Sequence, residues 1–204
     1  QARLVGGCAL GPAGAAFRCQ DSFPTDHPAY LGHFGVGRAP YQKELWAACD
    51  VLIVAGNRLD GITTEDFSLP RADQAVIAIH PDADVLARGR APEVAIAADA
   101  APTLELLAAA LPAPPAERLV WREAVRAAFL EFRAGRPLAV GPLDMAEVMA
   151  AFVDGLPDDR VVANDAGNFS GWVHRYVPFD RPGTQAGPMT GSMGYAVPAA
   201  LGAK

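Results

Sequence analysis

The stretch Asp50-Val51-Leu52-Ile53-Val54-Ala55-Gly56 decides the fold class of this chain. It is a short, continuous apolar run closed by a glycine, which is typical of a strand covered on both faces in a parallel sheet. Residues 74–80 repeat this pattern, and Val94–Ala97 repeats it in shorter form. Because single helical segments separate the runs, the sequence predicts a doubly wound parallel sheet of the α/β class.

Helical patterns accompany these strands. Residues 43–48 form a short amphipathic segment, and residues 103–111 are predicted as a helix with a proline on either side. A longer helix is predicted over residues 117–133, because its apolar side chains can share one broad face. The members of that face are Leu119, Val120, Val125, Phe129 and Phe132.

The stiff stretch Pro112-Ala113-Pro114-Pro115 predicts a domain boundary. We therefore expect a central α/β domain over residues 1–111, a linker and helix over 112–140, and the N-terminal part of a second α/β domain over 141–204. In that second domain, residues 143–156 are predicted as a helix with Asp144 near its N-terminus. Residues 160–165 are predicted as the strand that follows.

Composition excludes several classes of protein. The 204 residues are 51% hydrophobic and 20% charged, which fits a soluble globular protein with a real core. A net charge of −6 argues against a nucleic-acid or anionic-membrane surface. The three cysteines, Cys8, Cys19 and Cys49, are widely spaced and form no C-x-x-C motif. They predict reduced thiols in a cytoplasmic protein.

Both ends of the sequence are expected to continue into a longer polypeptide. Arg3-Leu4-Val5-Gly6-Gly7 is predicted as a strand already entering a turn, and residues 198–204 are a helical run without a stop signal. About a dozen residues separate that strand from Asp21, which is little room for a crossover helix and its loops. Either this connection is unusually short or a segment is missing.

Two glycine turns are the candidate functional segments. The first reads Asn164-Asp165-Ala166-Gly167-Asn168-Phe169, and the second reads Gly191-Ser192-Met193-Gly194-Tyr195. Each precedes a helical pattern, where exposed backbone N–H groups can hold an anionic or polar cofactor. The alternatives are an ordinary strand-to-helix connection for the first turn, and for the second a close helix packing site with Met193 in the core.

Taken in series, these elements resemble the thiamine-diphosphate-dependent enzymes of the acetolactate synthase and 2-oxo acid decarboxylase type. Residues 141–204 resemble the start of the family's diphosphate-binding domain, and residues 1–111 resemble its central domain. In the central domain the resemblance rests on the segments Phe23-Pro24-Thr25-Asp26-His27-Pro28, Leu31-Gly32-His33-Phe34-Gly35, residues 50–59, and Ile77-Ala78-Ile79-His80-Pro81-Asp82.

The resemblance implies two groups of cofactor-binding residues. The diphosphate turn, which would support the cofactor diphosphate through backbone N–H groups and a polar side chain, consists of Ala166, Gly167, Asn168 and Phe169. The pyrimidine clamp, which would grip the aminopyrimidine ring by main-chain groups, consists of Gly191, Ser192 and Met193. The Met193 side chain falls where the family wedges the cofactor into a bent conformation, and a flexible thioether suits that task.

The resemblance also implies an activity and its partners. It implies decarboxylation of a 2-oxo acid, with or without carboligation, on thiamine diphosphate with Mg²⁺, in a homodimer or homotetramer. The activating acid and the magnesium motif of the family lie outside this sequence, so we name no catalytic residue and no metal ligand. This chain alone is expected to be inactive. Asp165 is expected to orient the diphosphate turn rather than to act as a general base.

Other residues receive more modest interpretations. His27 and His33 are placed on a loop with a surface or capping role, and Trp172 and Tyr195 are interpreted as packing residues. The turn Gly56-Asn57-Arg58-Leu59 leaves open an alternative function, a nucleotide-type module that binds FAD, coenzyme A or ADP. A non-catalytic relative of the family is the third reading.

Overall fold

The computed structural model of the chain describes residues 11–135 and 141–204. The strand predicted at Arg3-Leu4-Val5-Gly6-Gly7 and the thiol of Cys8 lie outside these residues. The strands are β1 Ala13–Ala16, β2 Tyr30–Phe34, β3 Val51–Ala55, β4 Ala75–His80, β5 Val94–Ala97, β6 Val162–Ala163 and β7 Gln185–Ala186. The helices are α1 Pro40–Ala48, α2 Ala83–Leu86, α3 Ala100–Ala110, α4 Ala116–Ala134, α5 Met145–Asp154, α6 Ser170–Tyr176 and α7 Ala196–Ala203. A single 3-10 turn spans Gln20–Ser22.

The strands pair in parallel throughout the described part of the chain. The largest sheet has the order β3-β4-β5, with Val51 opposite Ala75 and Ile77 opposite Val94. β1 pairs with β2, and β6 pairs with β7, each in a two-stranded parallel sheet. This mixed α/β architecture with parallel sheets confirms the predicted fold class.

The three-stranded sheet is covered best at its centre. On β4, Ile79 is fully buried and packs with Ala100 and Leu104 of α3. Val51 and Val94 are exposed instead. The prediction that these strands are covered on both faces is therefore wrong at Val51 and Val94, which lie on the two edge strands of this sheet within the described residues. A short apolar run does not distinguish a central strand from an edge strand.

The helix α4 packs on β2 through one aromatic contact. The ring of Phe129 meets that of Tyr30 edge-on, with 5.3 Å between centroids. The guanidinium of Arg126 donates to the carbonyls of Thr25 at 3.1 Å and Tyr30 at 2.8 Å. Val120, predicted on the buried face, is 65% exposed. At about 100° per residue it lies half a turn away from Phe129, so the predicted face was too broad.

Several predicted boundaries shift for identifiable reasons. α3 begins at Ala100 and includes Pro102 in its first turn. Proline is tolerated there because the N–H groups of the first turn have no acceptor within the helix. α5 is shorter than predicted because Asp144 is its N-cap and accepts from the Ala146 N–H at 2.8 Å. The strand predicted over residues 160–165 contracts to Val162–Ala163, which is the length that pairs with β7.

The segment from Phe17 to Thr25 forms hydrogen bonds with the second half of the chain. The Thr25 N–H donates to the carbonyl of Phe179 at 2.9 Å, and the Phe179 N–H returns a bond to the Thr25 hydroxyl at 3.0 Å. Asp21 accepts through Oδ2 from the N–H groups of Gly183 at 2.7 Å and Thr184 at 3.1 Å. These bonds hold β7 against the first half of the chain. They also hold the segment that leads from β7 to residues 188–194.

None of the helices within the described residues has the length and apolarity needed to cross a membrane.

Candidate functional site

The diphosphate turn lies between β6 and α6 with its donors exposed. The carbonyls of Gly167, Asn168 and Phe169 accept the first N–H groups of α6, at 3.0, 3.1 and 3.0 Å. The N–H groups of the same three residues donate no hydrogen bond within the described part of the chain. Gly167 has a φ of 145°, and a Cβ there would lie 2.9 Å from the Phe169 ring. The turn thus needs glycine and presents three free donors at the surface.

The pyrimidine clamp is an open glycine turn that leads into α7. The Gly191 N–H donates to the carbonyl of Pro188 at 2.9 Å, which closes the turn. Gly191 and Gly194 have φ values of 75° and 83°, and a Cβ at either position would meet nothing within 4 Å. The glycines are therefore required by left-handed backbone conformation rather than by close packing. Among the described residues, no helix packs closely against either glycine.

Met193 lies outside the core. Its side chain is 85% exposed, whereas Met149 in the second domain is 7% exposed and belongs to an apolar cluster. The Met193 side chain is therefore available for contact with a ligand or with another part of the polypeptide. Within the described residues, Met193 therefore does not belong to an apolar core. Ser192, next to it, shares a hydrogen bond of 2.7 Å with the hydroxyl of Thr190.

Asp165 joins the two turns. Its carboxylate accepts from the N–H of Ala166 at 2.8 Å through Oδ1, and from the N–H of Ala196 at 3.0 Å through Oδ2. These bonds, that from Ala196 first, lower the pKa of Asp165 below its usual value. A carboxylate stabilised as the anion and committed to backbone donors is a poor general base. The hydrogen bonds of Asp165 agree with the expectation that it orients the turn, and they also reach the start of α7.

Arg18 reaches the same two segments, and our sequence analysis missed it. Its Nη1 donates to the carbonyl of Pro188 at 2.5 Å, and its Nη2 donates to that of Asp165 at 3.1 Å. The side chain is 5% exposed, and its guanidinium lies 4.7 Å from the centroid of the Phe17 ring. Burial lowers the pKa of Arg18, and the Asp165 carboxylate acts in the opposite direction. The one signal in the sequence is a charged residue that follows Ala15-Ala16-Phe17.

His33 and His174 form a pair of rings in contact, each with a buried Nε2 atom. His33 lies on β2 rather than on the predicted loop, and its ring contacts that of His174 with 4.4 Å between centroids. The Nε2 atoms of both rings are buried without a hydrogen-bond partner among the described residues. Burial lowers the pKa of His33 to about 3 and that of His174 to about 4. The surface role predicted for His33 is therefore wrong. His27 caps its own turn by accepting from the Ala29 N–H at 3.0 Å.

The remaining candidates have local roles. His80 accepts from the Asp82 N–H at 3.0 Å and closes the turn after β4. Trp172 stacks on Tyr176 with 5.9 Å between centroids, which confirms it as a packing residue, whereas Tyr195 is exposed. Cys19 and Cys49 are free thiols, as predicted. Over residues 11–135 and 141–204, no group of three or more His, Cys, Asp and Glu side chains is placed to hold a metal ion.

The turn proposed for nucleotide binding is closed by its own residues. The Asn57 side chain accepts from the Leu59 N–H at 2.6 Å, and the Gly56 N–H donates to the carbonyl of Ile79 at 2.9 Å. An open cavity of about 380 Å³ begins at Arg58 and reaches Met189 and Thr190. This cavity therefore adjoins the pyrimidine clamp.

Comparison with known proteins identifies both halves of the chain. Residues 11–107 match the family model for the thiamine pyrophosphate enzyme central domain. Residues 165–204 match the model for the C-terminal TPP binding domain of the same enzymes. The second match begins at Asp165 and includes both glycine turns.

The most similar curated proteins include acetolactate synthases. The chain is 31% identical over 186 residues to the acetolactate synthase isozyme 1 large subunit of Escherichia coli (strain K12), covering 88% of this chain and 32% of that protein. It is 28% identical over 189 residues to the acetolactate synthase large subunit of Corynebacterium glutamicum, covering 90% and 30%. It is 26% identical over 211 residues to the sulfoacetaldehyde acetyltransferase of Castellaniella defragrans, covering 90% and 35%.

The chain thus spans about a third of the length of these relatives. Neither matching model describes a flavin, coenzyme A or nucleotide, and the Leu59 N–H of the turn at Gly56 is already bonded to Asn57. The alternative of a nucleotide-type module is therefore unsupported. Two domain models of one family match more than half of the chain in the order expected from its sequence, so this chain belongs to the thiamine pyrophosphate enzymes.

Proposed function

We propose that the complete polypeptide is a thiamine-diphosphate-dependent lyase or transferase acting on a 2-oxo acid, similar to acetolactate synthase. The observation that carries this proposal is the pair of hydrogen bonds by which Asp165 joins the diphosphate turn to the start of α7. Both turns lie within the match to the TPP binding domain. Asp165 therefore places two segments with complementary binding features side by side.

The residues present fit the cofactor that the family requires. Three free backbone donors, those of Gly167, Asn168 and Phe169, suit the oxygens of a diphosphate. Gly191 leaves the backbone accessible on its Cβ side, which suits a planar ring held by main-chain groups. The exposed Met193 thioether provides an apolar surface for that ring.

Thiamine diphosphate, when bound, supplies the electron sink that the decarboxylation of a 2-oxo acid needs. The chain supplies geometry. We propose that the diphosphate turn binds and orients the anionic end, and that the pyrimidine clamp fixes the ring. Met193 would exclude water from the ring and hold the cofactor in the bent conformation. Asp165 would keep the two ends at a constant separation, since its carboxylate is already committed to backbone donors.

Further features of the whole protein are part of the proposal. Mg²⁺ would accompany the diphosphate, and the chain taken alone would not turn over substrate. We also propose a cytoplasmic homodimer or homotetramer, in which the site is completed by other parts of the polypeptide or its partner. The domain limits of 1–111 and 141–204 remain our interpretation.

Calorimetric titration of the complete polypeptide with thiamine diphosphate and Mg²⁺ tests the proposal. We expect saturable binding that is weakened by Met193→Asp, because a carboxylate would face the cofactor ring, and by Gly191→Val, because a β-branched residue resists positive φ. Absence of binding to the wild type, or binding equal to wild type in both variants, would contradict it. Light scattering tests the assembly, and a monomer would contradict that part alone.

A further inference from the structure

Arg18 bonds to the two carbonyls that already organise the glycine turns. The Pro188 carbonyl accepts from Arg18 Nη1 and also from the Gly191 N–H, the bond that closes the pyrimidine clamp. The Asp165 carbonyl accepts from Arg18 Nη2 and also from the hydroxyl of Ser170, the first residue of α6. The Arg18 side chain, from the first half of the chain, thus shares acceptors with hydrogen bonds of the pyrimidine clamp and of the segment that holds the diphosphate turn.

The Arg18 side chain has little freedom to move. It is buried, and its backbone adopts a φ of 56°, a left-handed conformation that a non-glycine residue seldom takes. Its Cδ lies so close to Gly187 that a Cβ there would approach it to 3.0 Å. Residues held in such conformations persist only where their surroundings enforce them, and they concentrate at functional sites.

A guanidinium suits the distance between two carbonyls. It is planar and presents its donors in a rigid fork, whereas a lysine ammonium is a compact charge on a flexible stem. Hydrogen bonds from a charged donor are also stronger than neutral ones. A fork that binds the carbonyls of Asp165 and Pro188 therefore fixes their separation.

We propose that Arg18 is a positioning residue that sets the spacing between the diphosphate turn and the pyrimidine clamp. The expected effect on cofactor affinity rests on the proposed function. Its structural part, the coupling of the two segments, holds independently of any ligand. Arg18 does not contact the cofactor in this account and acts through the two carbonyls.

The experiment compares two buried arginines in the complete polypeptide. Arg18→Met removes both bonds, and Arg18→Lys keeps the charge but loses the fork. Arg38→Met is the matched control, because Arg38 is also buried and donates to a backbone carbonyl, that of Thr63. This substitution removes the same charge. Each variant is titrated with thiamine diphosphate and Mg²⁺, and hydrogen–deuterium exchange of the ligand-free protein is followed over residues 165–171 and 187–196.

We expect Arg18→Met to raise the Kd for thiamine diphosphate on the order of tenfold or more, and Arg18→Lys to recover part of that loss. Exchange should rise in both segments together in Arg18→Met and in neither with Arg38→Met. Unchanged exchange in both segments, or the same rise with Arg38→Met, would overturn the positioning role. If the wild type binds no thiamine diphosphate but Arg18→Met still loosens both segments, the proposed function fails and the coupling stands.

Discussion

The carboxylate of Asp165 and the backbone N–H of Ala196 form a hydrogen bond of 3.0 Å across 31 residues of sequence. Asp165 lies between β6 and the diphosphate turn, whereas Ala196 is the first residue of α7 and follows the pyrimidine clamp. The same carboxylate accepts from Ala166. Displacement of either turn therefore disturbs a side chain that is bonded to both, so the two turns are structurally coupled.

Removing the Asp165 carboxylate should weaken cofactor binding. We expect Asp165→Ala to raise the Kd for thiamine diphosphate on the order of tenfold in calorimetric titrations, because both turns lose their shared anchor. Asp144→Ala is the control, since the Asp144 carboxylate also accepts from a backbone N–H at the start of a helix but belongs to neither glycine turn. It should cost about 1 kcal/mol of unfolding free energy and leave the Kd unchanged. Equal Kd values for Asp165→Ala and wild type would refute the anchoring role.

Alanine substitutions at three glycines should distinguish the effect of backbone conformation on stability from the effect of packing. Gly191→Ala and Gly194→Ala should each lower the free energy of unfolding by about 1–2 kcal/mol, because alanine resists their left-handed φ although space is free beside them. Gly171→Ala, in helical conformation in α6 and equally unobstructed, should instead stabilise by about 0.5–1 kcal/mol. Urea unfolding measures all three. A destabilised Gly171→Ala would show that packing, not conformation, governs these positions.

The histidine pair should make the fold sensitive to acid. The folded-state pKa values of His33 and His174 are lowered to about 3 and about 4, so the unfolded chain binds more protons below pH 6.5. Stability should therefore fall as pH decreases from about 6.5 to 4, by up to about 1.4 kcal/mol per pH unit for each ring.

Urea unfolding at a series of pH values measures this effect. The double variant His33→Phe/His174→Phe should show a shallower decline between pH 6.5 and 4 than the wild type. A decline of the same slope in both proteins would assign the acid sensitivity to other groups.

Two methionines should respond in opposite ways to truncation. Met149→Ala should cost about 2–5 kcal/mol of unfolding free energy, because the side chain is buried among Val162, Val177 and Phe179. Met193→Ala should change stability by less than about 0.5 kcal/mol, because the side chain is in solvent. Urea unfolding gives both values. A large loss of stability in Met193→Ala would place this residue in a core and remove it from the site.

Local patterns in the sequence predicted the three-stranded sheet well, whereas β1, β2 and β7 were not predicted. β3 and β4 were recognised from apolar runs, and the limits of β5 match the prediction. β1 was missed because Ala13-Gly14-Ala15-Ala16 contains none of the β-branched or aromatic residues that favour strands. His33 was misplaced for a related reason, since a histidine between glycine and phenylalanine resembles a loop residue.

The candidate site was predicted in part. The glycine turns were found because their residue types, order and spacing resemble those of the family. Their role as cofactor contacts remains a prediction. The bonds from Arg18 span 147 and 170 residues, and no local pattern encodes contacts of that range. The exposure of Met193 likewise depends on how α7 is placed, which composition does not reveal.

Titration of thiamine diphosphate and of thiamine, each with Mg²⁺, into the complete polypeptide tests the central claim most directly. The wild type should bind thiamine diphosphate saturably and more tightly than thiamine. Asn168→Ala should weaken binding of the diphosphate form alone, and Met193→Asp should weaken binding of both ligands. No saturable binding of thiamine diphosphate to the wild type, or wild-type affinity in both variants, would contradict the account.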